Sequence, residues 1–211
     1  MKTILIYSGG MDSTTLLYQL LNDKHEVKCL SFNYGQRHLK ELMCASNICN
    51  ELRVEWKLVD LTSITDLISS SALTGNTPVP HGHYEEESMK KTVVPNRNMI
   101  MLSIAIGWAE NIGFDTVAIA NHKGDHHIYP DCRTDFIKHL SDAARVGTYQ
   151  NITIISPYCE ITKGDIAVLG RLYGIDYDRT WTCYEGGESP CGKCGSCTER
   201  IEAIQHARGK E

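Results

Sequence analysis

Short apolar runs alternate with segments of helical periodicity along most of this chain, and that alternation restricts the fold more than any other feature. Residues 3–7, 26–34, 55–60, 115–120 and 152–155 read as strands, while 13–21, 37–52, 98–112 and 133–146 read as helices. Strands separated by helices pair in parallel and need cover on both faces. The expected fold class is therefore α/β, a doubly wound, mostly parallel sheet. A capping-box pattern at Thr162-Lys163-Gly164-Asp165 opens a further helix to about residue 173. From Trp181 the character changes to glycines and cysteines, then a closing helix over 198–208. The expected organisation is one α/β domain over 1–180, with a small C-terminal metal-binding lobe over 181–211 packed on it.

Charge and apolar run length narrow the partners. Lys and Arg number 21 against 26 Asp and Glu, a net charge of −5 among 211 residues, which speaks against a global grip on nucleic acid. The most apolar stretch, 99–109, is broken by Ser103 and Gly107 and falls short of the roughly 20 residues a bilayer requires. It reads as a buried helix, with no membrane partner. The apolar run before Ser8 is shorter than a secretory core of about 7–15 residues, so the expected location is the cytoplasm. Nine cysteines there should be thiols or metal ligands.

Between residues 69 and 92 the periodicity breaks. Gly75, Pro78, Pro80 and Gly82 punctuate the segment, and Glu85, Glu86, Glu87, Lys90 and Lys91 solvate it. A loop this long is either a lid or plain disorder. His81 and His83 within it read as solvated.

Ser8-Gly9-Gly10-Met11-Asp12-Ser13, followed by Thr14, lies between the first strand and first helix. In a doubly wound sheet, ligands bind at the carboxyl ends of strands. Two glycines let the backbone approach a ligand closely. The helix behind them offers free N–H groups and a positive dipole end to an anion. Ser8 and Ser13 add hydroxyls, and Asp12 either caps the helix or holds magnesium. Neither Gly-Lys-[Ser/Thr] nor Gly-x-Gly-x-x-Gly occurs in the chain. The bland alternative is a tight strand-to-helix turn. The full hexapeptide is more specific, and it resembles the PP-loop of the ATP pyrophosphatase superfamily, whose members cleave ATP between its α and β phosphates.

Cys183, Cys191, Cys194 and Cys197 are spaced Cys-x7-Cys-x2-Cys-x2-Cys. Four thiolates at about 2.3 Å close a tetrahedral zinc site with no open position. An iron–sulfur cluster is the rival, although such runs usually end in proline and this one continues to Thr198.

Three further blocks sit at strand ends. Tyr34-Gly-Gln-Arg37-His38 follows the second strand, Val94-Pro-Asn-Arg97-Asn98 opens the apolar helix, and Tyr129-Pro-Asp131-Cys-Arg133 follows the fourth strand. Arg37, His38 and Arg97 suit phosphate or carboxylate, with guanidinium favoured for bidentate contact. Asp131 can accept two parallel hydrogen bonds from a guanine-like edge. Tyr129 can border a purine ring. His122, His126 and His127 suggest a metal, yet adjacent histidines rarely face one ion. Cys132 reads as a packing or contact residue rather than a nucleophile.

Taken together with Thr162-Lys163 and Trp181-Thr-Cys183-Tyr184, these blocks resemble the QueC family of queuosine biosynthesis, in order and over nearly the whole chain. Asn96 departs from the glycine or alanine frequent after the proline in that family, which should tune a loop only. The resemblance implies an adenine nucleotide alpha hydrolase-like PP-loop fold. It also implies ATP- and Mg2+-dependent conversion of 7-carboxy-7-deazaguanine and ammonia to 7-cyano-7-deazaguanine. On that reading Ser8, Gly9, Gly10, Met11, Asp12, Ser13 and Thr14 bind ATP. Asp12, Arg37, Arg97 and Lys163 serve the chemistry, and His38, Tyr129, Asp131 and Arg133 hold the substrate. Cys183, Cys191, Cys194 and Cys197 bind one structural Zn2+, and the chain forms a homodimer. A PP-loop tRNA-thiolating enzyme is the alternative, and a zinc-bearing interaction module on an inert domain a third reading.

Overall fold

A computed structural model describes residues 1–75, 77–83 and 86–209. Its sheet has five strands in the order β3-β2-β1-β4-β5: β1 Lys2–Ile6, β2 Glu26–Asn33, β3 Glu55–Asp60, β4 Thr116–Ala118 and β5 Thr153–Ile155. Every neighbouring pair is parallel, with Thr3 of β1 opposite both Val27 and Thr116. The last two strands are shorter than their apolar runs, because only three residues of each find ladder partners.

The described residues form six helices, α1 Met11–Asn22, α2 Lys40–Leu52, α3 Arg97–Ile112, α4 Thr134–Gly147, α5 Lys163–Leu172 and α6 Gly195–Arg208, of which α6 packs on α1 and α5 rather than on the sheet. The period-two alternation of the strands divides the core. Ile4, Leu30, Phe32, Val117 and Ile154 pack on one face with Leu102, Ala105 and Ile137. Leu5, Cys29 and Ala118 pack on the other with Leu16, Leu17, Ala45 and Ile166. Successive side chains of a strand point to opposite faces, so a buried sheet reads as a continuous apolar run.

Two helix starts differ from the periodic pattern by three residues, and α1 opens two residues early, at Met11. The second helix begins at Lys40, not residue 37, because the Gln36 side chain seizes local backbone: its Oε1 accepts from Tyr34 N–H and its Nε2 donates to Phe32 O. α6 begins at Gly195 with Cys194 as its N-cap, so Cys197 stands on the helix. α5 starts as expected, with Thr162 and Asp165 forming a reciprocal capping box.

The segment 69–92 is packed where it is described. Ala72, Leu73, Val79, Met89 and Thr92 are buried, and Glu87–Thr92 form a 3-10 turn. Arg37 donates to the carbonyls of Gly75 and Thr77, and His81 pairs with Cys194 in an isolated bridge. Plain disorder therefore does not describe it; Glu85 lies outside the described residues. His81 and His83 are half-exposed and face Glu185 at 3.0 Å and Glu202 at 3.5 Å. The C-terminal stretch packs at two places: Ala203 and Ala207 against Met11 and Ala167, and the cysteines against Trp181 and Val79. Among the described residues, no helix is long and apolar enough to cross a membrane.

Candidate active site

The strand order reverses between β1 and β4, and a doubly wound sheet opens its ligand crevice at such a point. Residues 8–13 fill that position. Gly9 has φ +82°, and a Cβ there would lie 2.7 Å from Ala45 N and closer still to Glu41 O, so only glycine lets the loop settle on α2. Ser8 Oγ accepts from Gly10 N–H at 3.1 Å and lies 3.0 Å from Ser13 Oγ. Trp181 N–H donates to Gly9 O, tying the C-terminal segment to the loop. The α1 N-terminus has Gly10 as its cap and no side-chain cap. Its first turn, Met11, Asp12 and Ser13, lines the crevice, and a helix start offers free N–H groups to an anion.

Asp12 is therefore not a helix cap. Its Oδ2 lies 3.1 Å from Lys163 Nζ, while its Oδ1 is buried with no hydrogen-bond partner. Lys163, the first residue of α5, also pairs with Glu199 of α6 at 2.8 Å. Burial opposes the lysine charge, but Asp12 and Glu199 outweigh it and hold its pKa above the ordinary lysine range. Glu199 Oε1 in turn faces His122 Nε2 at 3.5 Å, and burial raises the Glu199 pKa.

The opposite wall comes from the ends of β2 and α3. Arg97 donates from Nη1 to Tyr34 OH at 3.1 Å and lies 5.5 Å from that ring's centroid. His38 is buried 5.5 Å from the Tyr184 ring, and its Nε2 lies 3.5 Å from Glu41 Oε1. Burial, then the charge of Arg97, lowers the His38 pKa to about 3, so the ring is neutral. Burial also lifts the Glu41 carboxyl to about 8. Tyr129, buried, shares a 2.6 Å hydrogen bond with Thr92. The two walls enclose a cavity of about 210 Å³ reaching from Ser8 and Lys163 to Arg97 and Tyr129.

Of the residues singled out in the sequence, Ser8, Gly10, Met11, Asp12, Ser13, His38, Arg97, Tyr129 and Lys163 line this cavity, as does Cys132. Gly9 lies beneath the loop, and Thr14 is buried with its Oγ1 3.2 Å from Tyr7 OH. Three others are engaged elsewhere. Arg37 holds the carbonyls of Gly75 and Thr77, Arg133 is exposed and donates to His126 O, and Asp131 Oδ2 accepts the Asn98 backbone N–H at the start of α3. That last bond satisfies a free helix-end donor, a task with no trace in local spacing. Cys132 Sγ accepts from Asn98 Nδ2 at 3.2 Å, and burial drives its pKa well up, which suits contact rather than attack. Glu41 and Glu199 went unnoticed in the sequence. Glu41 follows His38 by three positions and Glu199 follows the last cysteine by two, so chain proximity to known blocks was the only available signal.

The four Sγ atoms of Cys183, Cys191, Cys194 and Cys197 lie within 4.8 Å of one another. Cys191 N–H points at Cys183 Sγ and Cys194 N–H at Cys191 Sγ, at 3.4 and 3.3 Å. Amides aimed at sulfur favour thiolate, so the donor set fits a soft, tetrahedral metal. The histidines at 122, 126 and 127 form no comparable group among the described residues.

A parallel sheet that offers a Gly-Ser loop and a helix N-terminus at its switch point, with a buried lysine beside them, defines a PP-loop, ATP-utilising α/β protein. The same fold occurs in the ammonia-dependent NAD synthetase of Campylobacter jejuni, with TM-score 0.50 and 19% identity over 99% of this chain and 76% of that one. It occurs also in a 4-thiouridine synthetase solved with RNA and ATP, with TM-score 0.50 and 15% identity over 98% and 50%. These two show the fold alone. The family model for queuosine biosynthesis protein QueC matches residues 2–208, and the chain belongs to that family. Similar proteins named 7-cyano-7-deazaguanine synthase come from Hahella chejuensis, 52% identical over 96% of this chain and 88% of that protein, and Methanoregula boonei, 49% identical over 98% and 95%.

Proposed function

We propose that this chain converts 7-carboxy-7-deazaguanine to 7-cyano-7-deazaguanine, using ATP and ammonia. One observation carries the reading. The Ser8 and Ser13 hydroxyls, the Asp12–Lys163 pair and Arg97 all face one cavity, in a chain that the family covers from residue 2 to 208. A carboxylate is a poor electrophile and hydroxide a poor leaving group, so each oxygen needs activation before it departs. The carboxylate oxygen attacks the α-phosphorus of ATP, releasing pyrophosphate. Ammonia then displaces AMP to give the amide. A second ATP activates the amide oxygen, and loss of AMP with the remaining N–H proton leaves the nitrile.

In this scheme residues 8–14 cradle the phosphates, while Lys163 and Arg97 offset charge that develops on phosphorus and on the departing oxygen. Stabilising such charge is usually the largest single contribution to rate. The unpartnered Asp12 Oδ1 fits a divalent cation and would hold Mg2+, which supplies charge neutralisation between phosphates. Arg37 acts by holding the carbonyls of Gly75 and Thr77. Asp131 acts through Asn98 and the start of α3, and so on Arg97. His38 and Tyr129 meet the base. The cysteine set would hold one structural Zn2+ in a lobe over 181–211 that carries Glu199 towards Lys163. The reading includes a homodimer in the cytoplasm with no nucleic-acid partner, in keeping with the −5 charge.

Purified protein incubated with the acid, ammonium, magnesium and ATP, and analysed by mass spectrometry, tests the reaction. Nitrile with two AMP and two pyrophosphates is the expected result. ADP would overturn the adenylation steps, and absence of both nitrile and nucleotide cleavage would overturn the function. Elemental analysis should find one zinc per chain; iron in its place would overturn the zinc assignment.

A further inference from the structure

We propose that Glu41, together with Nδ1 of His38, reads the donor edge of the deazaguanine base and thereby sets base specificity. This rests on the reaction proposed above and adds the residue that chooses the ring. Three carboxylates line the cavity: Asp12, Glu41 and Asp125. Asp12 is paired with Lys163. Asp125 Oδ2 accepts the His122 backbone N–H at 2.9 Å, and its Oδ1 faces His122 Nε2 at 3.6 Å. Asp131, which the sequence suggested for this task, is held by the Asn98 backbone. Among the described residues Glu41 has no lysine or arginine within ion-pair distance: the Gln36 amide donates to Oε1 at 3.2 Å, a neutral imidazole lies at 3.5 Å, and the Arg97 charge acts from farther off.

His38 supplies the second acceptor. Its Nδ1 is buried without a hydrogen-bond partner, and the residue is 3% exposed. A buried polar atom left unpaired is costly, and such atoms in a ligand cavity mark where ligand atoms belong. A guanine-like edge runs acceptor, donor, donor: O6, N1–H and the 2-amino group. Arg97, Glu41 and His38 all line the cavity and offer one donor and two acceptors to such an edge. An adenine edge offers one donor beside one acceptor and leaves this wall half matched. Phe32, Tyr34 and Tyr184 line the same part of the cavity and suit a flat ring. Burial favours the protonated Glu41 carboxyl, and an N–H donor from the base shifts it to the ionised form that accepts.

The test uses wild type and Glu41→Gln with 7-carboxy-7-deazaguanine and its analogue lacking the 2-amino group, read as nitrile formation and as calorimetric binding of each base. Wild type should prefer the natural acid by about 100-fold or more, because a site built for a donor rejects its absence strongly. Glu41→Gln should raise KM for the acid about 100-fold, hold KM for ATP within about 3-fold, and shrink the preference to about 5-fold. A wild-type preference below about 3-fold overturns the proposal without any variant. A variant effect on ATP affinity alone would place adenine on this wall, and an effect on ammonium dependence alone would make Glu41 a proton acceptor; either result overturns it. Should wild type bind the acid with the expected preference yet form no nitrile, base reading stands and the proposed reaction fails.

Discussion

The two walls of the cavity handle buried charge in opposite ways. Beside the glycine loop Lys163 sits between Asp12 and Glu199, at 3.1 and 2.8 Å, and the opposite charges offset one another. On the base wall Glu41 and His38 are equally buried, yet their nearest partners are an amide and each other, and both are driven towards the neutral form. We read the first arrangement as suited to a ligand that is strongly anionic throughout, such as a phosphate chain. The second stores an unsatisfied polar surface that a ligand with matching donors relieves. A site that must grip one molecule tightly and discriminate among others gains from having both.

The comparison breaks most severely at Lys163. Lys163→Met leaves Asp12 and Glu199 facing each other without their cation, and removing one partner of a buried ion pair costs about 3–5 kcal/mol. Urea unfolding should show that loss, and nitrile formation should fall at least about 1000-fold. Gly9→Ala attacks the seam between the walls, where the loop rests on the Glu41 carbonyl. Left-handed φ and a backbone clash together should cost about 2–4 kcal/mol, with KM rising for ATP and for the acid together. A shift in only one of these KM values would show that the walls are mechanically independent.

Glu41→Gln sharpens the contrast through pH. The folded pKa of about 8 exceeds the ordinary 4.5, so from pH 4.5 to 8 the unfolded chain has ionised while the folded chain keeps its proton. Stability of the wild type therefore falls as pH rises across that window, by roughly 2 kcal/mol or more on account of this group. His38 acts with the opposite slope, since its lowered folded pKa removes stability as pH falls below 6.5. The difference between variant and wild type isolates Glu41 and should grow in the variant's favour from pH 4.5 to 8. Equal slopes in both proteins would contradict the burial of an uncompensated carboxyl. The smallest effect is at Asn96, the αL cap of α3 with φ +55°. Asn96→Gly should change stability by no more than about 0.5 kcal/mol, while Asn96→Val should cost about 1–2 kcal/mol. Asparagine tolerates positive φ, which fits Asn96 to this αL position.

Local signals carried the elements far. The strand runs, the Thr162 capping box and the Gly-Gly loop each depend on residues within one turn of each other, and each appears where the pattern placed it. The start of α2 did not, because Gln36 spends its amide on the backbone of Phe32 and Tyr34. Long-range bonding hid more. Asp131 satisfies a helix start 33 positions away, and Arg37 anchors carbonyls some 40 positions on. Glu199 joins Lys163 from another helix.

The amino-acid sequence alone determined the parallel α/β class, the glycine loop at the end of β1, the four-cysteine set and membership of a family, since these rest on periodicity and on short motifs read within a few residues. Which carboxylate faces which cation, and which buried atoms are left for a ligand, only the tertiary structure decided. Pairing among Asp12, Lys163, Glu199, Glu41 and Asp131 is settled by which helices meet over the sheet, and burial then converts those meetings into charge states that no spacing encodes.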